Sequence, residues 1–329
     1  MTQFIQRQLP PYARLDHPIL RHILGVPRGD HARRRTPYVR VFLAALLVAL
    51  MIAAGVVIGS EFFAVDLLQQ PISQALSAVV FWPLLIAQLL LRLTALGMTI
   101  GTVSEEQRRQ TWDSLRATSN GAALALQARW SAVVFYRLRP ALLLMTAARL
   151  LLIAALLYDL TAFSGDYLSF LTGDIQPAMS VPVAVLLLTF ALTASLLMPL
   201  TGTGLDAALG LLVSTFVQRR VYVVLAQITL SALRVAVVIG LLAAVLNFRD
   251  DTLLTNGTST GLWLLIFGFA ALGDWGVSLL HLGYFGAEVW ANVPYSILIG
   301  PALLGFVVVQ AALIDGLLWL AVRRADRSE

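Results

Sequence analysis

An all-helical, polytopic membrane fold is what this sequence predicts, and three observations carry that expectation. Of 329 residues, 59% are hydrophobic and only 12% charged, where a soluble domain is about a quarter charged; mean hydropathy is +0.82. Apolar stretches of about 20 residues recur, each long enough to cross a hydrocarbon core of roughly 30 Å as a helix. The alternating pattern of a membrane barrel is missing, and backbone amides in lipid have no water to bond, which leaves helices as the spanning form.

The elements follow in order. Residues 1–40 are polar and carry eight arginines before the first apolar run, so they do not read as a signal peptide and are expected to stay cytoplasmic. A first span is expected over 41–59 and a second over 72–102. Arg108, Arg109, Arg116, Arg129, Arg137 and Arg139 follow the second span, which places 103–139 on the cytoplasmic side with the N-terminus. A third span over 140–158 leads to a loop bearing Asp159, Asp166 and Asp174 and no arginine, read as external. The apolar stretch 181–217 is too long for one straight crossing and contains Pro199, Gly202, Gly204 and Asp206; a broken helix ending at Arg219 and Arg220 is expected. A fifth span covers 221–246.

Residues 261–295 hold Asp274, His281, Glu288 and many glycines, with Trp275, Tyr284, Phe285, Trp290 and Tyr295 suited to a membrane interface. They read as a re-entrant or interfacial helical pair on the outer side, because a full crossing would send Arg323, Arg324 and Arg327 outside after the last span, 297–322. Six spans with both termini cytoplasmic result; a seven-span arrangement is the alternative. No tandem repeat or low-complexity linker divides the chain, so 41–329 reads as one transmembrane domain behind the N-terminal segment 1–40.

Composition also excludes chemistry. Cysteine is absent, which removes disulfides, thiol catalysis and thiolate metal sites. Lysine is absent too, so all 23 basic residues are arginine and a P-loop, which needs its lysine, cannot exist here. His17, His22, His31 and His281 are scattered without metal-ligand spacing, so no metal site is expected. The arginines lie where topology puts them, which argues against nucleic acid despite a pI near 10.0. No Ser/His/Asp arrangement can be argued, and the chain is not expected to be an enzyme.

The one long polar island between apolar stretches is 103–118. Ser104 with Gln107 has capping-box spacing, and Glu105 and Glu106 then fall in the first helical turn, where the dipole favours anions. Thr111, Trp112 and Leu115 lie close together on one helix face, with Arg108, Arg109, Asp113 and Arg116 around the rest. Asn120-Gly121 makes a turn, and a second helix over 122–136 runs back. An amphipathic loop held on anionic lipid by its arginines is the plainest account of this island.

The order of residue types in the island resembles the cytoplasmic coupling element of type-2 ABC exporter permeases, roughly Ile-Ser-x-Glu-Arg-Glu-x-Gly-Thr-hydrophobic-Glu-x-Leu-Leu-x-Thr-Pro. Ser104, Glu106, Thr111, Trp112, Asp113, Leu115 and Thr118 match in order; Gln107 stands for the Arg, Gln110 for the Gly, Ser119 for the Pro, and Arg129 near the place of a Lys. The run from His17 to Leu24 followed by Arg33 to Arg35 is similar to the opening of such permeases, which forms an interfacial connecting helix. The run from Leu209 to Ser214 before Arg219 is similar to a further family stretch. The resemblance implies a permease subunit that pairs with a second permease, identical or not, and with P-loop ATPase subunits, which would hold the ATP and Mg; this chain holds no cofactor. It implies ATPase docking through Glu105, Glu106, Thr111, Trp112, Asp113 and Leu115, re-entrant helices between spans five and six, and a place in the bacterial inner or plasma membrane. The rival readings are a structural or accessory subunit of a larger membrane complex derived from such a permease, and an ion-coupled transporter.

Arg92, Arg149, Arg234, Asp206, Asp274 and Asp315 lie inside apolar stretches, where an ionised group costs several kcal/mol unless paired or wet. Arg149 is ten residues beyond Arg139 and Asp315 eight before Arg323, which sets both at similar depth. A charge layer of Arg92, Arg149, Arg234 and Asp315, with an Arg149–Asp315 pair across spans three and six, is therefore expected; Arg92, 12 residues before Ser104 and slightly deeper, is the competing partner. It reads either as a structural staple or as part of a substrate path.

Overall fold

A computed structural model describes residues 10–14, 17–24, 49, 52–53, 56, 72–108, 110, 112, 121–162, 179–217, 219–249, 265–266, 268–275 and 298–327. After a single 3-10 turn, Pro11–Ala13, the regular helices are α1 (Pro18–Leu24), α2 (Ile72–Ile100), α3 (Thr102–Arg108), α4 (Gly121–Ser131), α5 (Arg139–Ala162), α6 (Val181–Phe216), α7 (Arg220–Arg249) and α8 (Ile299–Arg327). Two π-helical turns complete them, Ala132–Arg137 between α4 and α5 and Gly268–Asp274 before α8. Among the described residues, four helices are long and apolar enough to cross a membrane, and five if the bent pair Gly121–Arg137 and Arg139–Ala155 is taken as one span. The described residues are helical throughout their regular structure, and the chain is a multi-pass membrane protein of the all-α class. The span expected at 41–59 lies outside the described residues except for Ala49, Ile52, Ala53 and Val56, which are helical and exposed.

The long helix α6 is the axis of the bundle, packed along α8 on one side and α2 on the other, with α5 and the turn Gly268–Asp274 against it. A close approach to α2 is made at Gly210, where a Cβ would collide with the Thr99 hydroxyl and crowd the Leu96 carbonyl. Small residues at such a crossing let backbones meet where lipid gives no hydrophobic drive to associate. Hydroxyls inside the bundle are satisfied locally, as in Thr99 to the Ala95 carbonyl (2.9 Å) and Thr203 to the Pro199 carbonyl (2.6 Å).

Three sequence expectations are corrected here. Helix α6 runs unbroken through Pro199 for 36 residues, about 54 Å at 1.5 Å per residue, so it overshoots the hydrocarbon core instead of breaking within it. Ser104 is no N-cap: α3 begins at Thr102 and carries the second span onward, so that residues 79–108 form one 30-residue span, and the Ser104 hydroxyl turns back to the Gly101 carbonyl (3.0 Å). Trp275 does not sit at an interface; it is 1% exposed and stands edge-on to Phe81 at 6.0 Å, inside the core that α2, α6 and α8 share. Beyond 265–266 and 268–275, the outer segment expected over 261–295 is outside the described residues.

The overshooting end of α6 packs with α3, α4 and α8 around Val103, Leu126, Leu211 and Leu318. There the N-terminal segment joins them: the Tyr136 hydroxyl donates to the Ala13 carbonyl (2.6 Å) and Arg137 to the Ile23 carbonyl (3.1 Å). The N-terminal helix and the island therefore occupy the same end of the bundle, as the arginine distribution predicts. Burial, and after it the Asp315 carboxylate, raise the Tyr12 phenol above its usual value of 10.0.

Candidate functional site

Two arrangements were singled out by sequence, the polar island and the intramembrane charges. In the island, Glu105 and Glu106 are half-buried on α3 and each has a partner within the chain. Trp112 is 3% exposed and packed in the chain's own core with Val103, Ala122 and Leu126, so it anchors the island to the bundle. Thr111, Asp113 and Leu115 lie outside the described residues. Arg108 and Gln110 are exposed. Gln110 closes the end of α3, its N–H donating to the Gln107 carbonyl (3.0 Å), with φ of +56°. That is the left-handed region a side chain enters at a cost and glycine enters freely.

The charges form a denser structure. Arg92 on α2 gives its Nε to Asp206 on α6 at 2.6 Å and a terminal nitrogen to Asp274 at 2.9 and 3.1 Å. Arg234 on α7 reaches both oxygens of Asp206 at 2.7 Å, and Gln88 lies 3.5 Å from Asp274. Two arginines and two carboxylates thus alternate through three helices and the π-helical turn, and their formal charges cancel. Buried charges are tolerated when paired and hydrogen-bonded in this way. Gly202 leaves room for it: a Cβ there would come within 3.2 to 3.4 Å of the Arg92 guanidinium.

Arg149 on α5 is fully buried and does not pair with Asp315. Helix α6 lies between α5 and α8, packing against both, and Asp315 is exposed on α8 near Tyr12. The Arg149 guanidinium goes to three backbone carbonyls instead, those of Ser195, Gly273 (3.0 Å) and Asp274. Each of these has a reason to want a donor. Pro199 has no N–H, so the Ser195 carbonyl loses its partner four residues on. Gly273 and Asp274 end the π-helical turn, where final carbonyls have no partner inside the helix and the dipole favours a cation. Arg149 is therefore a cap that joins α5, α6 and the turn in one place.

Of the expected layer, Arg92, Arg149 and Arg234 are brought together and Asp315 is left out. Asp206 and Asp274, noticed in the sequence but not placed in the layer, supply the negative charge. A depth count finds the first of them: Arg92 is 12 residues before Ser104, Asp206 13 before Arg219, and Arg234 14 after Arg220. Among the described residues no group of three or more His, Cys, Asp or Glu could hold a metal. Comparison of the chain with protein-family models, with curated proteins and with solved structures gives no match.

Proposed function

We propose that the chain is the transmembrane subunit of an ABC-type exporter in the cytoplasmic membrane, with six spans and both termini inside, driven by a separate P-loop ATPase that docks on the end of α3. The observation that carries this reading is Gln110. It stands where the coupling-element pattern has glycine, and its backbone adopts the left-handed conformation that glycine serves. A second support is mechanical: α3 follows α2 after the single residue Gly101 within one 30-residue span, so a displacement of its exposed end is passed toward Arg92, and through it to α6, α7 and the π-helical turn.

With Trp112 withdrawn into the core, the contact falls to Glu105, Glu106 and the exposed Arg108 and Gln110. The test is affinity purification of the detergent-solubilised chain from its native membrane. A P-loop ATPase should co-purify and should be lost or depleted with Glu106→Arg; co-purification of other membrane proteins alone, with no ATPase, defeats the reading. The rival, an accessory subunit of a larger complex, draws on one observation: the aromatic anchor of the docking pattern, Trp112, serves this chain's own packing.

A further inference from the structure

At the arginine-rich end, the last turns of α6 and α8 leave a cleft of about 390 Å³ lined by Leu212, Phe216, Leu320, Arg323 and Arg324. Its construction is regular: Leu212 and Phe216 are four apart on α6, and Leu320 lies three and four residues before the arginines on α8, so each wall is one helix face. Three of the five lining side chains are apolar and two are arginines, both exposed. Phe216 is 59% exposed, which in water would be an unfavourable place for a ring and at a bilayer boundary is an ordinary one.

The two guanidiniums are held but not neutralised. Arg324 lies over the Phe216 ring at 5.0 Å and Arg323 over the Trp319 ring at 5.1 Å, and among the described residues neither meets a carboxylate within ion-pair distance. Stacking fixes the plane of a guanidinium and leaves its N–H edge free, the edge that takes a phosphate two-pronged. Arg219 and Arg220 follow Phe216 within four residues and add to the positive field at this end.

We propose that this cleft binds one anionic phospholipid, its phosphate between Arg323 and Arg324 and the start of an acyl chain against Leu212, Phe216 and Leu320. The site needs only that α6 and α8 cross a membrane; it does not rest on the exporter reading. Apolar walls beneath a free pair of cations match an amphiphile with a phosphate head better than a soluble anion, which would leave the walls wet, or a neutral lipid, which would leave the arginines unmatched. Bound there, the lipid would tie the overshooting ends of α6 and α8 to the headgroup layer.

The experiment is native mass spectrometry of the full chain in mild detergent, titrated with phosphatidylglycerol or phosphatidylcholine of the same acyl chains. The parent should retain phosphatidylglycerol preferentially. R323Q/R324Q, checked for unchanged elution and Tm, should lower that retention about 25-fold, given that each arginine at a lipid surface is worth about a factor of five, and leave phosphatidylcholine unchanged. F216A should weaken both lipids. R323K/R324K, which keeps charge without the planar fork, should keep part of the preference. Equal retention of the two lipids by the parent, or a similar loss in R139Q at another exposed arginine, overturns the proposal. So does displacement of phosphatidylglycerol by its chain-free headgroup at equal concentration, which would mark a soluble-anion site.

Discussion

Asp206→Asn is the perturbation that bears most directly on the buried network. Asp206 accepts from Arg92 at 2.6 Å and from Arg234 at 2.7 Å to both oxygens, so the amide removes the one charge that two cations share. Removing a partner from a buried pair costs about 3–5 kcal/mol, because the remaining charge is uncompensated. Arg92 keeps Asp274 at 2.9 Å, so the cation left without a carboxylate is Arg234; 22% of its side chain is exposed, water softens the cost, and a loss at the low end, about 3 kcal/mol, is expected. At roughly 2–4 °C per kcal/mol the midpoint should fall on the order of 10 °C.

Unfolding followed by tryptophan fluorescence in detergent is a suitable assay, since Trp275 and Trp112 are buried. The reference is Asp315→Asn, an exposed carboxylate outside the network, expected to change stability by about 0.5 kcal/mol or less. A second arm uses charge arithmetic: D206N leaves the network one positive charge in excess, and D206N/R234M restores neutrality around the Arg92–Asp274 pair, so the double variant should be the more stable of the two. If D206N costs no more than D315N, or if R234M worsens it additively, the shared-carboxylate account would be falsified.

Four further outcomes are expected. Arg149→Met should destabilise by several kcal/mol, since it orphans three buried carbonyls at about 1–3 kcal/mol each; with Pro199→Ala, which returns an N–H to the Ser195 carbonyl, a double-mutant cycle should recover about 1 kcal/mol of that loss. Gly210→Val should break the α2–α6 crossing and lower expression of folded protein, whereas Gly240→Ala, with open space around its Cβ position, should be neutral or stabilise by up to about 1 kcal/mol. Gln110→Gly should stabilise the end of α3 by about 1 kcal/mol, read as slower proteolysis of the island, and Gln110→Val should do the reverse. Because the Tyr12 phenol is raised in the folded chain, the folded state holds its proton longer than the unfolded one. Docking of the N-terminal segment is thus fully supported below pH 10 and lost as pH rises through the folded value; hydrogen exchange of α1 should show that loss, and Tyr12→Phe should abolish it.

Much of this was legible in the sequence, and the failures share a cause. Hydropathy sees length and composition, so the helices at 72–100, 139–162, 220–249 and 299–327 were readable from apolar runs, and arginine positions put α1 and the island at one end; the continuation of the second span to 108 and the unbroken course of 181–216 were not. Pairing is not visible to the same signal. Equal depth brought Arg149 and Asp315 together on paper, but depth fixes only one coordinate of three; the angle around each helix axis set Asp315 on an outer face of α8 and Arg149 inward toward α6. Arg92, Asp206 and Arg234 satisfy both conditions. The glycine at 202 was the residue that could have said so, because a glycine beside a buried charge on a membrane helix marks where a large group from a neighbour lies against the backbone.

The misreading of α6 has the same origin and a larger consequence. Pro199 in an apolar stretch predicts a break when the helix is considered alone, since the proline costs its own hydrogen bond. In the bundle the freed Ser195 carbonyl is taken by Arg149, so the cost of the proline is met by an arginine from another helix that itself needs acceptors. Each residue is unfavourable in lipid without the other, and together they let α6 continue for 36 residues. Along that length the middle turns meet the π-helical turn at Arg149, the last third carries Asp206, and the end supplies part of the wall on which Trp112 packs and the cleft in which Phe216 and Arg324 meet. The coupling of Arg149 to Pro199 is thus a condition for the geometry of the arginine-rich end, and the double-mutant cycle between them should change lipid retention there as well as stability.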